Sequence, residues 1–276
     1  MTHDDIDQLQ RIIARELEVQ PGADITDEIQ RRQAFLIDQL HTTGQHCLVL
    51  GISGGVDSTS AGLLAQRAVE AAREELPEAR FITMRLPYGE QQDDDDARQA
   101  LDAIQPDECL TVNIKPASDA MLEALEQSGL AFRDQAHRDF VMGNIKARQR
   151  MIAQYAVAGA RGGLVIGTDQ AAEAVMGFYT KHGDGACDLV PLAGLTKGQV
   201  RDMAAQLGAP DTLVNKVPTA DLESLRPQLS DEEALGVSYA AIDRFLTGES
   251  VDPEDAERII ATWRRTAHKR AMPRTP

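Results

Sequence analysis

Apolar residues recur at helical spacing over 4–19, where Ile6, Leu9, Ile12, Ile13 and Leu17 form one stripe. Pro21-Gly22 ends that stripe, and a second helix is predicted from about Asp27 to Thr43. The pattern then changes. Cys47-Leu48-Val49-Leu50-Gly51-Ile52 is a short continuous apolar run, which reads as a strand buried on both faces. The Ala- and Leu-rich stretch from Ser58 to Leu76 reads as a helix and completes a first βα unit. Further units follow. A strand over Phe81-Ile82-Thr83-Met84-Arg85-Leu86 precedes a helix from Asp94 to Ile104, and a strand over Leu110-Thr111-Val112-Asn113-Ile114 precedes one from about Ala117 to Glu126. A long helix from about Asn144 to Ala158 leads into Gly163-Leu164-Val165-Ile166-Gly167-Thr168, another buried strand.

Strands alternating with helices predict an α/β fold, a doubly wound, mostly parallel sheet with helices on both faces. Such sheets hold ligands at the carboxyl ends of their strands, which directs attention to the loops after Ile52, Leu86 and Gly167. Beyond Pro191 the pattern turns to helices and polar loops. Lys197 to Leu207 reads as a helix, Lys216 to Leu235, with Pro218 and Pro227, as a long mobile loop, and Pro253 to Lys269 as the last helix. Ser230-Asp231-Glu232-Glu233 reads as a capping box opening a short helix. With no internal repeat and no linker, one domain is expected over 1–276: a helical segment 1–45, a core 46–210, and a loop with C-terminal helices 211–276.

Composition narrows the partners. The net charge of -16 and pI near 4.8 oppose binding to a phosphate backbone, so nucleic acid is not expected. Cys47, Cys109 and Cys187 are widely spaced, make no zinc pattern, and read as small buried apolar residues in a reducing cytosol. The acidic start Met1-Thr2-His3-Asp4-Asp5 lacks the apolar region of a signal peptide. No apolar run approaches a membrane span, so a cytoplasmic location is expected.

The junction between the first strand and its helix carries the strongest chemical signal. In Gly51-Ile52-Ser53-Gly54-Gly55-Val56-Asp57-Ser58 two glycines allow a tight turn that brings amides to phosphate oxygens. The following helix points its positive end at the same anion. Ser53 and Ser58 add hydroxyls, and Asp57 suits a Mg²⁺ shared with the phosphates. The plain alternative is a turn with helix-capping Ser and Asp. No Gly-Lys-Ser/Thr follows, which excludes a Walker A loop, and Gly51, Gly54 and Gly55 do not make the Rossmann GxGxxG.

An SGGxDS loop after a buried strand resembles the pyrophosphate loop of the N-type ATP pyrophosphatases. Within that class, several blocks along the chain resemble the NAD synthetase family: Arg85-Leu86-Pro87-Tyr88-Gly89, Gly143-Asn144-Ile145-Lys146-Ala147-Arg148, Gly167-Thr168-Asp169, Ala172-Glu173-Ala174, Gly177-Phe178-Tyr179-Thr180-Lys181 and Pro218-Thr219-Ala220-Asp221-Leu222. The resemblance implies an adenine nucleotide alpha-hydrolase-like fold. It implies ATP over residues 51–58 with contacts from Thr168, Lys197 and Thr219, and Mg²⁺ held by Asp57 and Glu173. Asp57 and Lys197 become the expected catalytic groups. Arg148, Lys181, Asp188, His268 and Lys269 match the deamido-NAD pocket, and Phe140 and Phe178 either flank the nicotinate ring or belong to the core.

Plainer readings stand beside these. Glu173 can be an exposed helix residue, Lys197 a solvated cation, Asp188 half of a structural salt bridge, and His268 and Lys269 solvated helix-end charges. The acidic run Asp93-Asp94-Asp95-Asp96 reads as a solvated helix start rather than a metal site.

Three features depart from the family pattern. Val56 stands where Gln is usual, Gln170 where His is usual, and the C-terminus lacks an aromatic-rich tail. The resemblance also implies a homodimer with the substrate across its interface. The expected reaction is ATP-dependent adenylation of deamido-NAD followed by attack of ammonia, since the length leaves no room for an amidase domain. A tRNA-modifying relative would call for a basic face and reactive cysteines. A non-catalytic nucleotide-binding regulator would not need Asp57, Glu173 and Lys197 together.

Overall fold

The computed structural model describes residues 3–89, 94–220, 222, 225, 229–273 and 275. Two helices, α1 (His3–Glu16) and α2 (Ile25–Thr43), precede β1 (Cys47–Gly51) and α3 (Val56–Ala72). The side chain of Asp24 caps α2 by accepting from Thr26 N and Asp27 N, and Gly44 closes it in the left-handed conformation. Next come β2 (Arg80–Arg85), α4 (Asp94–Ile104), β3 (Glu108–Thr111), α5 (Lys115–Gln127), α6 (Gln135–Arg161) and β4 (Gly163–Val165). The short α7 (Ala171–Met176) leads to α8 (Lys197–Gln206) and α9 (Asp211–Val214).

The four strands form a parallel sheet in the order β3-β2-β1-β4. Crossovers through α3 and α4 step outward from β1 to β2 to β3, and the chain then returns through α5 and α6 to place β4 on the other side of β1. The switch point therefore lies between β1 and β4, and their carboxyl ends open a crevice there. Leu48, Leu50 and Phe81 pack against α2, α3 and α8 in one core cluster, while Val49, Ile82 and Val165 pack on the other face against Ala158 of α6. This two-sided burial explains why β1 and β2 read as continuous apolar runs.

Edges and ends differ from the sequence reading. β3 starts at Glu108 and stops at Thr111; as an edge strand it alternates half-buried and exposed residues, which blurs its apolar signal. β4 stops at Val165, and Ile166 instead bridges to Leu189. Asp134 caps α6 through a bond from His137 N, so that helix begins earlier than its apolar spacing suggests and reaches Arg161. Cys47 is buried and Cys187 partly so, but Cys109 on the edge strand is exposed, contrary to expectation.

The segment read as a long loop carries local structure at its described ends. Strand β5 (Thr219–Ala220) pairs antiparallel with β6 (Leu229–Ser230), and α10 (Asp231–Leu235) follows directly. Ser230 caps α10 by accepting from Glu233 N at 3.3 Å, but the Glu233 carboxylate accepts from the Ser230 hydroxyl at 3.0 Å instead of the Ser230 amide, so only half of the expected capping box forms. Pro227 and Asp221 lie outside the described residues, as do Asp93, Arg274 and Pro276.

Helices α11 (Tyr239–Leu246), α12 (Pro253–Arg265) and α13 (Ala267–Arg270) end the chain, so the predicted last helix is broken at Thr266. With α1 and α7 they enclose a second core of Ile13, Val175, Ile242, Phe245 and Ile259. Among the described residues no helix is long and apolar enough to cross a membrane.

Candidate active site

Residues 51–58 run from the end of β1 into α3. Gly54 has φ +81°, and a Cβ there would sit 2.7 Å from Ala97 N, so the turn excludes any side chain and packs on the start of α4. Gly55 is the N-cap of α3 and offers no side-chain cap, which leaves first-turn amides for an anion. Ser53 and Ser58 hydroxyls lie 3.1 Å apart; Ser58 donates to Gly55 O, and Ser53 accepts from Gly55 N. The amides of Gly51 and Ile52 are already engaged, by Gln154 Oε1 at 2.8 Å and Met84 O at 2.9 Å. These two residues shape the loop while their amides hold it to α6 and β2.

Beneath the loop lies a buried charge cluster. Lys197 is 1% exposed, and its ammonium stands 2.5 Å from Asp57 Oδ2. Burial pulls the Lys197 pKa down, but Asp57 and Glu173 more than offset this, and the amine is held above its ordinary value. Glu173 on α7 is pushed far above the usual carboxylate range by burial and then by Asp57. Asp169, hydrogen-bonded to Glu173, is pushed up to about 7 by burial, with Asp184 and Asp57 adding to the effect. Neither Lys197 nor Glu173 is the solvated residue of the plainer reading.

Two more elements hold this cluster. Asp243 of α11 accepts from Lys197 N at 3.0 Å and Gly198 N at 2.7 Å, so a carboxylate sits at the α8 N-terminus. Tyr239, one turn earlier on α11, lies with its ring 4.9 Å from the Lys197 ammonium and donates its hydroxyl to Asp231 at 2.9 Å. Gln170 caps α7, its Oε1 accepting from Ala172 N and Glu173 N. Gln170 thus orients the helix that carries Glu173.

The metal question can be put to the geometry. Asp57 Oδ1 is buried without a hydrogen-bond partner, and Glu173 faces the same space. Two carboxylates offer the hard oxygen donors that would suit Mg²⁺ shared with a phosphate ligand. Among the described residues no three His, Cys, Asp or Glu side chains group as a metal site. The donor set thus fits a cation that arrives with phosphates, not one caged by protein alone.

A cleft of about 710 Å³ opens over these groups and is lined by the loop together with Thr168, Glu173, Lys197, Thr219 and Lys269. Phe140, which is exposed, and Phe178, which also packs on the second core, line it too. The other residues matched to the deamido-NAD pocket lie outside that lining. Arg148 donates to Lys181 O at 3.1 Å, and Lys181 donates to His268 O at 2.6 Å, making a chain of contacts beside the cleft. The Lys269 amine donates to Gly177 O and Tyr179 O. Asp188 accepts from Val165 N at 2.7 Å and from the Tyr155 hydroxyl, hydrogen bonds that tie down the end of β4 in place of a salt bridge.

The acidic run is likewise paired, Asp94 with Arg85 and Arg98 and Asp96 with Lys216. This corrects the reading of Asp94 and Asp96 as merely solvated. Sequence reading missed Gln154, Arg150, Asp231, Tyr239 and Asp243. Only the first pair had a usable signal: Arg150 and Gln154 are polar residues one turn apart on the helix predicted from about Asn144 to Ala158.

A parallel sheet with an open helix N-terminus at its switch point, set over a buried lysine and carboxylates, defines an adenine nucleotide alpha-hydrolase-like protein. The family model described as NAD synthase matches residues 28–273, and the chain belongs to that family. It is 62% identical over 268 residues to the NH(3)-dependent NAD(+) synthetase of Streptomyces coelicolor, covering 97% of each chain. The crystal structure of NAD+ synthetase from Burkholderia pseudomallei is 56% identical, with a TM-score of 0.84 over 97% of this chain and 98% of that one. The structure of NMN synthetase from Francisella tularensis is more distant, at 33% identity and a TM-score of 0.80 over 92% and 99%.

Proposed function

We propose that this protein amidates deamido-NAD to NAD with ammonia and ATP, through an NAD-adenylate intermediate, releasing AMP and pyrophosphate. The observation that carries the reading is the Asp57–Lys197–Glu173 cluster directly below an amide-lined loop. ATP lies with its phosphates on residues 53–58, and Thr168 and Thr219, which line the same cleft, contact it. The nicotinate carboxylate attacks the α-phosphorus, and pyrophosphate leaves. Lys197 and the first-turn amides of α3 stabilise the charge that develops on it. Asp57 and Glu173 would hold Mg²⁺, which when bound neutralises phosphate charge. Ammonia then attacks the activated acyl carbon and displaces AMP.

Arg148, Lys181, Asp188, His268 and Lys269 are the residues assigned to deamido-NAD. A homodimer with substrate across its interface is the expected assembly, and exposed Phe140 and Ile152 on α6 are apolar groups that such a contact would cover. The cytoplasm is the expected setting. Purified protein given ATP, Mg²⁺, deamido-NAD and ammonium should form NAD and AMP in equal amounts, with glutamine a poor nitrogen source. No NAD from ammonium, or turnover only with the corresponding mononucleotide, would overturn the assignment.

A further inference from the structure

Tyr239 is polar, large and 2% exposed, and the proposed function assigns it no contact with substrate. Its two ends do different things. The ring centroid lies 4.9 Å from the ammonium of Lys197, a buried cation–π contact. The hydroxyl donates to Asp231 Oδ2 at 2.9 Å, and Asp231 is itself 6% exposed.

Asp231 begins α10 at the foot of the β5–β6 pair. Its amide donates to Pro218 O at 3.0 Å, immediately beside Thr219, and Thr219 pairs with Ser230. The other wall of the same bracket is Asp243, one helical turn along α11, which accepts from the Lys197 and Gly198 amides.

From this geometry we infer that Tyr239 is a positioning residue that ties Lys197 to the strand pair bearing Thr219, so that the two ATP-contacting groups are placed as one unit. The inference rests on the proposed function for its ligand, ATP. The ring restrains where the ammonium points once Asp57 turns to a metal and Lys197 to phosphate. The hydroxyl fixes the height of Thr219 over the cleft through Asp231. Neither end touches the reacting atoms, so the residue acts only through its neighbours.

The two ends can be separated. Tyr239→Phe keeps the ring and removes the hydroxyl; Tyr239→Leu removes both. Binding of Mg²⁺–ATP is read by titration calorimetry, turnover by NAD formation, and folding by melting temperature. Tyr239→Phe should weaken ATP binding about tenfold, the worth of a hydrogen bond to a buried carboxylate, and raise KM for ATP in step. In an Asp231→Ala background the same change should have no further effect on ATP affinity. Tyr239→Leu should in addition lower kcat about tenfold relative to Tyr239→Phe, as the desolvated ring contact is lost.

ATP affinity of Tyr239→Phe equal to that of the unaltered protein overturns the inference. So do effects that simply add in the double variant, or equal kcat for the Phe and Leu variants. If the unaltered protein makes no NAD, the proposed function fails, and the ATP-affinity comparisons still decide whether Tyr239 acts as described.

Discussion

The ammonium of Lys197 and the carboxylate of Asp57 form a buried ion pair, 2.5 Å apart, with side chains 2% and 16% exposed. Each satisfies the other's charge inside the fold. Under the proposed function Mg²⁺–ATP would supply a new partner to both, so binding would exchange one internal pair for two external ones without leaving a bare charge in the core.

Removing one member of that pair strands the rest. Lys197→Met should lower unfolding free energy by about 3–5 kcal/mol in denaturant titrations, because Asp57, Glu173 and Asp231 lose their shared cation. Turnover should fall at least about a hundredfold, as for loss of a transition-state charge partner. A Lys197→Met/Asp57→Leu double variant should recover part of the stability and none of the activity.

Gly54→Ala tests the loop. The left-handed φ of +81° and the 2.7 Å approach to Ala97 N both oppose a methyl group. About 1–3 kcal/mol of strain is expected, and the loop relieves it by moving off α4. ATP binding should be lost while melting falls only modestly. Gly55→Ala should be milder, since its Cβ would meet nothing closer than Ser53 Oγ at 3.4 Å.

Lys146 links two loops at the cleft. Its amine donates to Leu222 O at 3.0 Å and lies 4.2 Å from the centroid of the Tyr88 ring, whose hydroxyl donates to Asp119. Lys146→Met should raise KM for ATP by up to about tenfold, the scale of a desolvated cation–π contact, with kcat less affected. Steady-state assays at varied ATP check this.

Thiol chemistry should sort the three cysteines. Burial pushes the Cys47 and Cys187 thiols up to about 11, so neither offers much thiolate near neutrality. Raising pH toward that value increases the thiolate fraction, and alkylation of both should accelerate accordingly. At pH 8 iodoacetamide should modify the exposed Cys109 first, as peptide mass spectrometry will show. Modification there should leave ATP binding intact.

What the sequence made legible follows from distance along the chain. Cys47–Ile52 and Phe81–Leu86 announce central strands because both faces are buried, and the glycine loop announces itself because its chemistry fits in eight consecutive residues. Ser230 and Glu233 are three apart, so the N-cap they share was readable as well. The Lys197–Asp57 pair spans 140 positions and leaves no local trace. The hydrogen bonds of Asp188 are hidden for the same reason: nothing nearby in sequence reveals that Val165 N and the Tyr155 hydroxyl reach its two oxygens. The Lys269 amine is engaged by carbonyls about ninety residues away, which composition cannot disclose.

Gln10 on α1 donates to Phe245 O and Glu249 O, clasping the helix that also carries Tyr239 and Asp243. Helix α1 therefore finds this partner only after the chain has grown a further 235 positions. The glycine loop, complete after little more than a fifth of the sequence, waits likewise for Lys197 and then for the helix that holds Lys197. A chain broken off before α11 would carry the loop but not the means to position its lysine, so translation of the two segments together, rather than of the loop alone, is what would complete the site.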